Sequence, residues 1–328
     1  MFDEVEKNLF RIRVQSRFPI LKPPVNLYLF AGEDGLLWDA GYGGRADIRS
    51  VAGDLQRIAS RMEARGDLCR ITRILISHGH GDHFAGLSAL RRITQARVLL
   101  TGKTAARIAS RAAYRKSWEE NPNMLRPHAP ALVRMLLPLL EWIQDHLFGM
   151  QWMPDPDMEI PESGTLRAGG RILHYFPIPG HADDHLALYC PSEGLLMSGD
   201  HVLRTITPWL GPPRASIEAY EESLKRLAEL PFLRRIFPAH GSPIEDPSKR
   251  LLAALEHSQR RTQRVLEIVS HAGPCGISFP RLLSRLYPLA SPITRISAEG
   301  WVVLTLRMLM KKEKVRAKKK GGKWRFRV

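Results

Sequence analysis

The stretch "SHGHGDHFAG", residues 77–86, places three histidines and an aspartate within six positions, with Gly79 and Gly81 between them. It follows "ITRILIS", a β-branched apolar run that reads as a buried strand. It precedes "GLSALRRI", which has helical spacing. The chain therefore leaves a strand, turns and enters a helix while presenting four side chains that bind metals. Imidazoles and carboxylates are the donors that zinc and similar borderline ions accept. His78 and His80 lie two apart on a loop and can point to the same side, and Asp82 and His83 follow where the helix begins. Glycine has no Cβ, so the backbone can curl closely around an ion. Such a stretch can offer two ligands to each of two neighbouring cations, but it cannot complete two coordination shells.

The remaining donors are expected at other strand ends. Three later apolar runs each finish in a polar loop beside glycine: "RILHYFPIPGHADDH" reaches His181, "GLLMSGDH" reaches Asp200 and "LRRIFPAHG" reaches His240. Ahead of the motif, "LFRIRVQ" alternates, and "NLYLFAGEDGLLWDAG" gives two apolar runs around a GEDG turn. "RADIRSVAGDLQRIASRMEARG" has helical spacing and ends at Gly66, and "ARVLLTG" reads as another strand. The order ββαβαβ describes sheets flanked by helices, an α/β (α+β) class whose reactive groups favour strand ends.

Residues 103–157 break this rhythm. They are helical to about 150, with a polar turn at "EENPNMLRPHAP", and form an insertion on the metal side. Their most apolar window carries Arg134, Glu141 and Asp145 and is interrupted by Pro138. A membrane span needs about 20 nearly uncharged residues, so the expectation is a helical hairpin or cap and no transmembrane segment. A composition shift follows Pro247 and divides the chain into a main region, 1–247, which carries the histidine motif, and a C-terminal region, 248–328. The latter holds three helical stretches and then "RAKKKGGKWRFRV", two short strands around Gly321-Gly322, the pattern of a winged-helix module. From Arg307 onward, eleven Lys/Arg stand against Glu313 alone, so ten of the sixteen net positive charges lie at this end. Such a patch attracts polyanions. Cys69, Cys190 and Cys275 are scattered and odd in number. That argues against a disulfide framework or a thiolate site and fits a cytoplasmic protein. The charged start, "MFDEVEKNLF", does not read as a signal peptide.

The histidine motif, with the later His, Asp and His in order and Asp39 in "GLLWDAG", resembles the metallo-β-lactamase superfamily from about residue 10 to 245. The resemblance implies an αββα sandwich of two mixed sheets with two metal ions at one edge. It implies His78, His80 and His181 on the first metal, Asp82, His83 and His240 on the second, and Asp200 bridging them. "GHADDHLAL" further resembles the β-lactamase-like subgroup with a C-terminal winged helix, which includes endoribonucleases and thioesterases. Ala182 stands where that subgroup usually has Thr.

Two cations sharing a water would hold a hydroxide at neutral pH, aimed by a hydrogen bond to Asp82. Zinc is the expected metal, and iron or manganese accept the same donors. Asp183 and Asp184 are expected to orient a liganding histidine through its other ring nitrogen, and His185 to take a structural or neighbouring role. The expected substrate is an anionic ester or thioester such as an acyl-CoA, with apolar surface supplied by "MLLPLLEWIQDHLFGMQW". A single-strand nuclease gripping RNA through the basic end, with Trp324 and Phe326 stacking on bases, stays open. So do a glyoxalase II-like hydrolase and a lactonase, and a homo-oligomer is compatible with all of them.

Overall fold

The computed structural model describes all residues except 17, 18, 20, 120–130, 206, 290, 291, 321 and 322. For 131–138, 140, 292–297, 320 and 323 it describes the backbone course only.

The first sheet has seven strands in sequence order: β1 (Phe2–Glu6), β2 (Leu9–Val14), β3 (Val25–Phe30), β4 (Gly35–Trp38), β5 (Ile71–Leu75), β6 (Arg97–Thr101) and β7 (Met158–Ile160). Pairing is antiparallel from β1 to β4 and parallel from β4 to β7. The second sheet runs in the order β12 (Arg235–Pro238), β11 (Leu195–Gly199), β10 (Leu186–Cys190), β9 (Arg171–Pro177), β8 (Gly164–Ala168). Only its β11–β12 pair is parallel.

Side-chain alternation sorts the residues into layers. On β3, Tyr28 and Phe30 join Leu188 and Met197 of the second sheet in one buried cluster, which packs the sheets face to face. The alternate residues Val25, Leu27 and Leu29 face outward to Ile48, Val51 and Ile58 of helix α1 (Arg45–Glu63). Behind the motif, α2 (Gly81–Phe84) and α3 (Leu87–Thr94) complete that layer. The result is the αββα sandwich.

The insertion provides α4 (Gly102–Ile108), α5 (Arg111–Ser117) and α6 (Ala131–Phe148). All of its polar turn after Glu119 lies outside the described residues. The outer face of the second sheet is covered by α7 (Ile217–Ala228), α8 (Pro247–Ser270), α9 (Phe279–Leu286) and α10 (Pro292–Lys311). A three-stranded sheet closes the chain, with β15 (Lys323–Arg327) between β13 (Ile277–Ser278) and β14 (Arg316–Lys320). The Gly321-Gly322 turn lies outside the described residues. One apolar cluster runs from Ala187 and Leu196 of the second sheet through Leu224 to Trp301 and Phe326, so the C-terminal helices share their core with the sandwich.

Two sequence expectations change. Phe326 is fully buried in that cluster and is not available to stack on a base. Trp324 is half-buried, with the Lys319 ammonium 5.0 Å from its ring centroid. The sequence reading also named no strand at β1, β7 or β8. β1 has little apolar pattern because ion pairs hold it. Asp3 meets Arg11 at 2.7 Å, Glu4 meets Arg65 at 3.0 Å and Glu6 meets Arg235 at 2.8 Å. Charge on an edge strand also discourages pairing with another chain.

Candidate metal centre

The two sheets deliver the histidines to one edge of the sandwich. β5 leads into the 77–83 loop, while β9, β11 and β12 lead to His181, Asp200 and His240. Four donors, from His78, His80, His181 and Asp200, lie within 4.8 Å of one another. A second set, from Asp82, His83, Asp200 and His240, meets the same limit, so Asp200 belongs to both. In the first set, His78 Nε2 and His181 Nε2 lie 2.8 and 2.9 Å from His80 Nδ1. In the second, His240 Nε2 is 3.3 Å from Asp82 Oδ2 and 3.2 Å from Asp200 Oδ1.

The opposite ring nitrogens set the tautomers. His83 Nδ1 donates to Asp39 Oδ2 at 2.9 Å, His181 Nδ1 to the Trp209 carbonyl at 2.7 Å, and His240 Nδ1 to the Pro24 carbonyl at 2.6 Å. Ser77 Oγ donates to Asp39 Oδ2 at 3.0 Å and accepts from His78 Nδ1 at 3.0 Å. Each of these four histidines therefore turns Nε2 inward, and His80 alone uses Nδ1. Asp39 accomplishes this from a left-handed conformation (φ 66°), which a short polar side chain tolerates.

These donors fit a cation. Among the described residues, His83 Nε2 and Asp200 Oδ1 are buried without a hydrogen-bond partner, a state that a bound ion would relieve. The glycines of the loop sit where a side chain would have little room. A Cβ on Gly81 would stand 2.8 Å from Met150 Sδ and Phe148 Cδ2, and one on Gly79 would stand 3.0 Å from Arg107 Cδ.

The two sets differ electrically. Burial, and then the neighbouring imidazoles, hold His78 well below the usual histidine range. Burial also dominates at His80 and His181 and lowers both. Burial opposes charge on His83 and His240 too, but there the carboxylates win and both are raised well above the usual range. At His83 these are Asp82, Asp39 and Asp200; at His240, Asp200 and Asp82. The second set thus favours positive charge most strongly.

The neighbouring residues correct one expectation. Among the described residues, neither Asp183 nor Asp184 bonds a ring nitrogen. Buried Asp184 instead accepts from Gly79 N at 3.0 Å and Thr104 Oγ1 at 3.2 Å, and pairs with Arg107 at 2.5 Å and Arg214 at 2.6 Å. It anchors the backbone between His78 and His80. Asp183, half exposed, reaches the same two arginines. His185 Nε2 accepts from Asp200 N at 3.1 Å, so this buried imidazole positions the shared aspartate. His201 is buried beside Tyr220, and burial pushes it down to about 3.

Two cavities meet at His80, Asp82 and Trp209. One, of about 650 Å³, lies against the insertion and is lined by Tyr114, Trp118, Phe148 and Met150. The Trp118 ring stacks on His80 at 5.5 Å. Of the apolar insertion segment, Phe148 and Met150 line this cavity, while Leu139, Trp142 and Ile143 are exposed. The other cavity, of about 920 Å³, reaches the C-terminal helices at His257, Arg261, Tyr287 and Trp301. Sequence reasoning singled out neither Trp118 nor Arg261, because no motif surrounds them.

Residues 22–240 match the family model described as the metallo-beta-lactamase superfamily. An "Atrochrysone carboxyl ACP thioesterase" of Aspergillus fumigatus is 22% identical over 79% of this chain, an alignment spanning only 52% of that relative's length. A protein of the same description from Passalora fulva is 23% identical, over 98% of this chain and 82% of the relative. In structure, a metallo-beta-lactamase family protein from Thermus thermophilus aligns with a TM-score of 0.73 over 99% of both chains, at 24% identity. That likeness is one of fold.

Proposed function

Since the chain belongs to the metallo-beta-lactamase superfamily, we propose that it is a metal-dependent hydrolase of acyl thioesters. The meeting of two cavities at the paired donor clusters supports this substrate class most directly, because a thioester carries a chain on each side of the bond to be cut. The relatives described as ACP thioesterases point the same way. The nuclease alternative loses one of its two stacking rings with Phe326 buried.

In this proposal His78, His80, His181 and Asp200 hold one divalent cation, and Asp82, His83, His240 and Asp200 hold the other. Zinc suits the nitrogen-rich first set. Bound there, such cations supply Lewis acidity, polarising a carbonyl and acidifying water. The protein's own groups do the rest. Ser77 and Asp39 keep the Nε2 atoms of His78 and His83 turned inward. Asp82 borders both cavities, and its carboxylate accepts the hydrogen bond that aims the attacking water. A thiolate leaves without needing a proton, so no acid is assigned. Residues 1–247 form the catalytic region in this scheme, and 248–328 a winged-helix-like region that walls one cavity. Among the described residues no helix is long and apolar enough to cross a membrane. The free cysteines fit a cytoplasmic location.

The test is hydrolysis of acyl-CoA, acyl-glutathione, lactone and single-stranded RNA, with Asp82→Ala to exclude contaminants. Preference for a thioester that vanishes in the variant supports the assignment. Turnover of RNA or lactone alone overturns it.

Metal uptake should depend on pH. The carboxylates around His83 and His240 favour their protonated forms in the metal-free protein, so a cation entering the second set competes with protons. His78, His80 and His181 are lowered, which favours their neutral forms. Affinity of the second set should therefore rise with pH while that of the first stays nearly flat around neutrality. Zinc titration followed by proton release checks this. Equal proton release for both equivalents would contradict the division.

A further inference from the structure

The two cavities differ in charge as well as in position. Beside the insertion, Arg111 pairs with Asp145 at 2.7 Å and Arg115 pairs with Glu141, so the cations lining that cavity are neutralised and its aromatic surface dominates. Across Trp209 the balance is different. Apart from Asp82 and Asp200 and the histidines of the metal centre, the charged or chargeable nitrogen groups lining the second cavity are Arg261 and His257. Arg261 is half-buried, and among the described residues it pairs with no carboxylate. Its guanidinium stacks 3.8 Å from the Trp301 ring centroid and donates from Nη2 to the Tyr287 hydroxyl at 2.9 Å. This holds a planar, permanently charged group facing the cavity with donors to spare. Burial, and then Arg261, Arg260 and Arg250, lower His257, as an electropositive wall should.

Building on the thioesterase assignment, we propose that the cavities divide the substrate. The acyl chain lies against the insertion, and the phosphate-bearing thiol lies in the cavity walled by the C-terminal helices, where Arg261 contacts the phosphate. An aromatic cavity whose arginines are already paired and which carries the further carboxylate Glu119 suits an acyl group, because burying apolar surface there is favourable and burying a phosphate is not. An uncompensated guanidinium offers what a phosphate requires. The chemistry recognised is that of a phosphopantetheine thiol, which coenzyme A and a carrier protein both present.

The test is binding of the free thiols, which requires no turnover. Coenzyme A, 4′-phosphopantetheine and neutral pantetheine are titrated into the metal-loaded full chain as wild type, Arg261→Gln and Arg261→Lys. Arg261→Gln should weaken coenzyme A about ten-fold, the scale of one charge-assisted contact, and leave pantetheine unchanged. Arg261→Lys should retain most of the affinity, which separates loss of charge from loss of packing on Trp301. An equal effect on phosphopantetheine identifies the phosphate shared with carrier proteins. An effect confined to coenzyme A would place Arg261 on the nucleotide phosphates and overturn the phosphopantetheine contact. Equal weakening of all three thiols, or of none, overturns the proposal. A wild type that binds in this way but cleaves no thioester would instead refute the thioesterase assignment.

Discussion

Asp200→Ala is expected to strip cations from both donor sets at once and to lower kcat by about 10³-fold or more. The reason is its shared position. Asp200 Oδ1 lies 3.2 Å from His240 Nε2 and 3.5 Å from His83 Nε2, while Oδ2 lies 3.6 Å from His181 Nε2. No other residue belongs to both sets among those described. The substitution also removes a negative charge from beside His83 and His240. By comparison, His78→Ala should deplete only the first set. Elemental analysis alongside kinetics on the best thioester separates the two variants. Should Asp200→Ala keep two metals per chain and activity within ten-fold of wild type, the shared role is wrong.

A second large effect is expected at a residue that touches neither set of donors. Asp184→Ala leaves the buried guanidiniums of Arg107 and Arg214 without their buried counter-charge, and breaking such a network typically costs about 3–5 kcal/mol. The carboxyl is held below its usual range: burial works against its charge, but Arg214 and Arg107 overcome that penalty. The loss also frees Gly79 N, so the loop between His78 and His80 should loosen and bind metal more weakly. Asp183→Ala is the natural comparison. Its side chain is 54% exposed and bonds the same arginines, and exposed ion pairs contribute about 1 kcal/mol at most. Denaturant unfolding of both variants should show a large shift for Asp184 and a small one for Asp183. Equal shifts would mean that the buried triad is not the anchor described.

Much of the catalytic sandwich was legible because its physics is local. Apolar runs that end in Gly-flanked His or Asp appear as such in the chain, and β5, β9, β11 and β12 end where those runs stop. Asp39 was legible only through the family resemblance of "GLLWDAG", and the structure places it against His83 and Ser77. The elements that escaped depend on partners far along the chain. β1 is held by arginines as distant as Arg235, and β7 and β8 are short and largely exposed. The role of Asp184 required Arg107 and Arg214, neither of which carries a motif. The basic C-terminal end was misjudged at Phe326 because alternation within a strand does not reveal which face meets a core. The hairpin turns that residue inward against the α8–α10 helices.

Each donor set takes members from both sheets. His78, His80, Asp82 and His83 follow a strand of the first, and His181, Asp200 and His240 follow strands of the second. β3 reinforces the joint, with Asn26 Nδ2 and Tyr28 OH donating to the Pro238 carbonyl at 3.0 and 2.7 Å beside His240. A cation held at this seam would act as a rivet between the two halves of the sandwich. Prying the sheets apart would then require breaking coordination bonds as well as exposing apolar surface. A chelator would remove a mechanical fastening along with the catalyst, so resistance to force, heat or proteases would report how fully the centre is loaded.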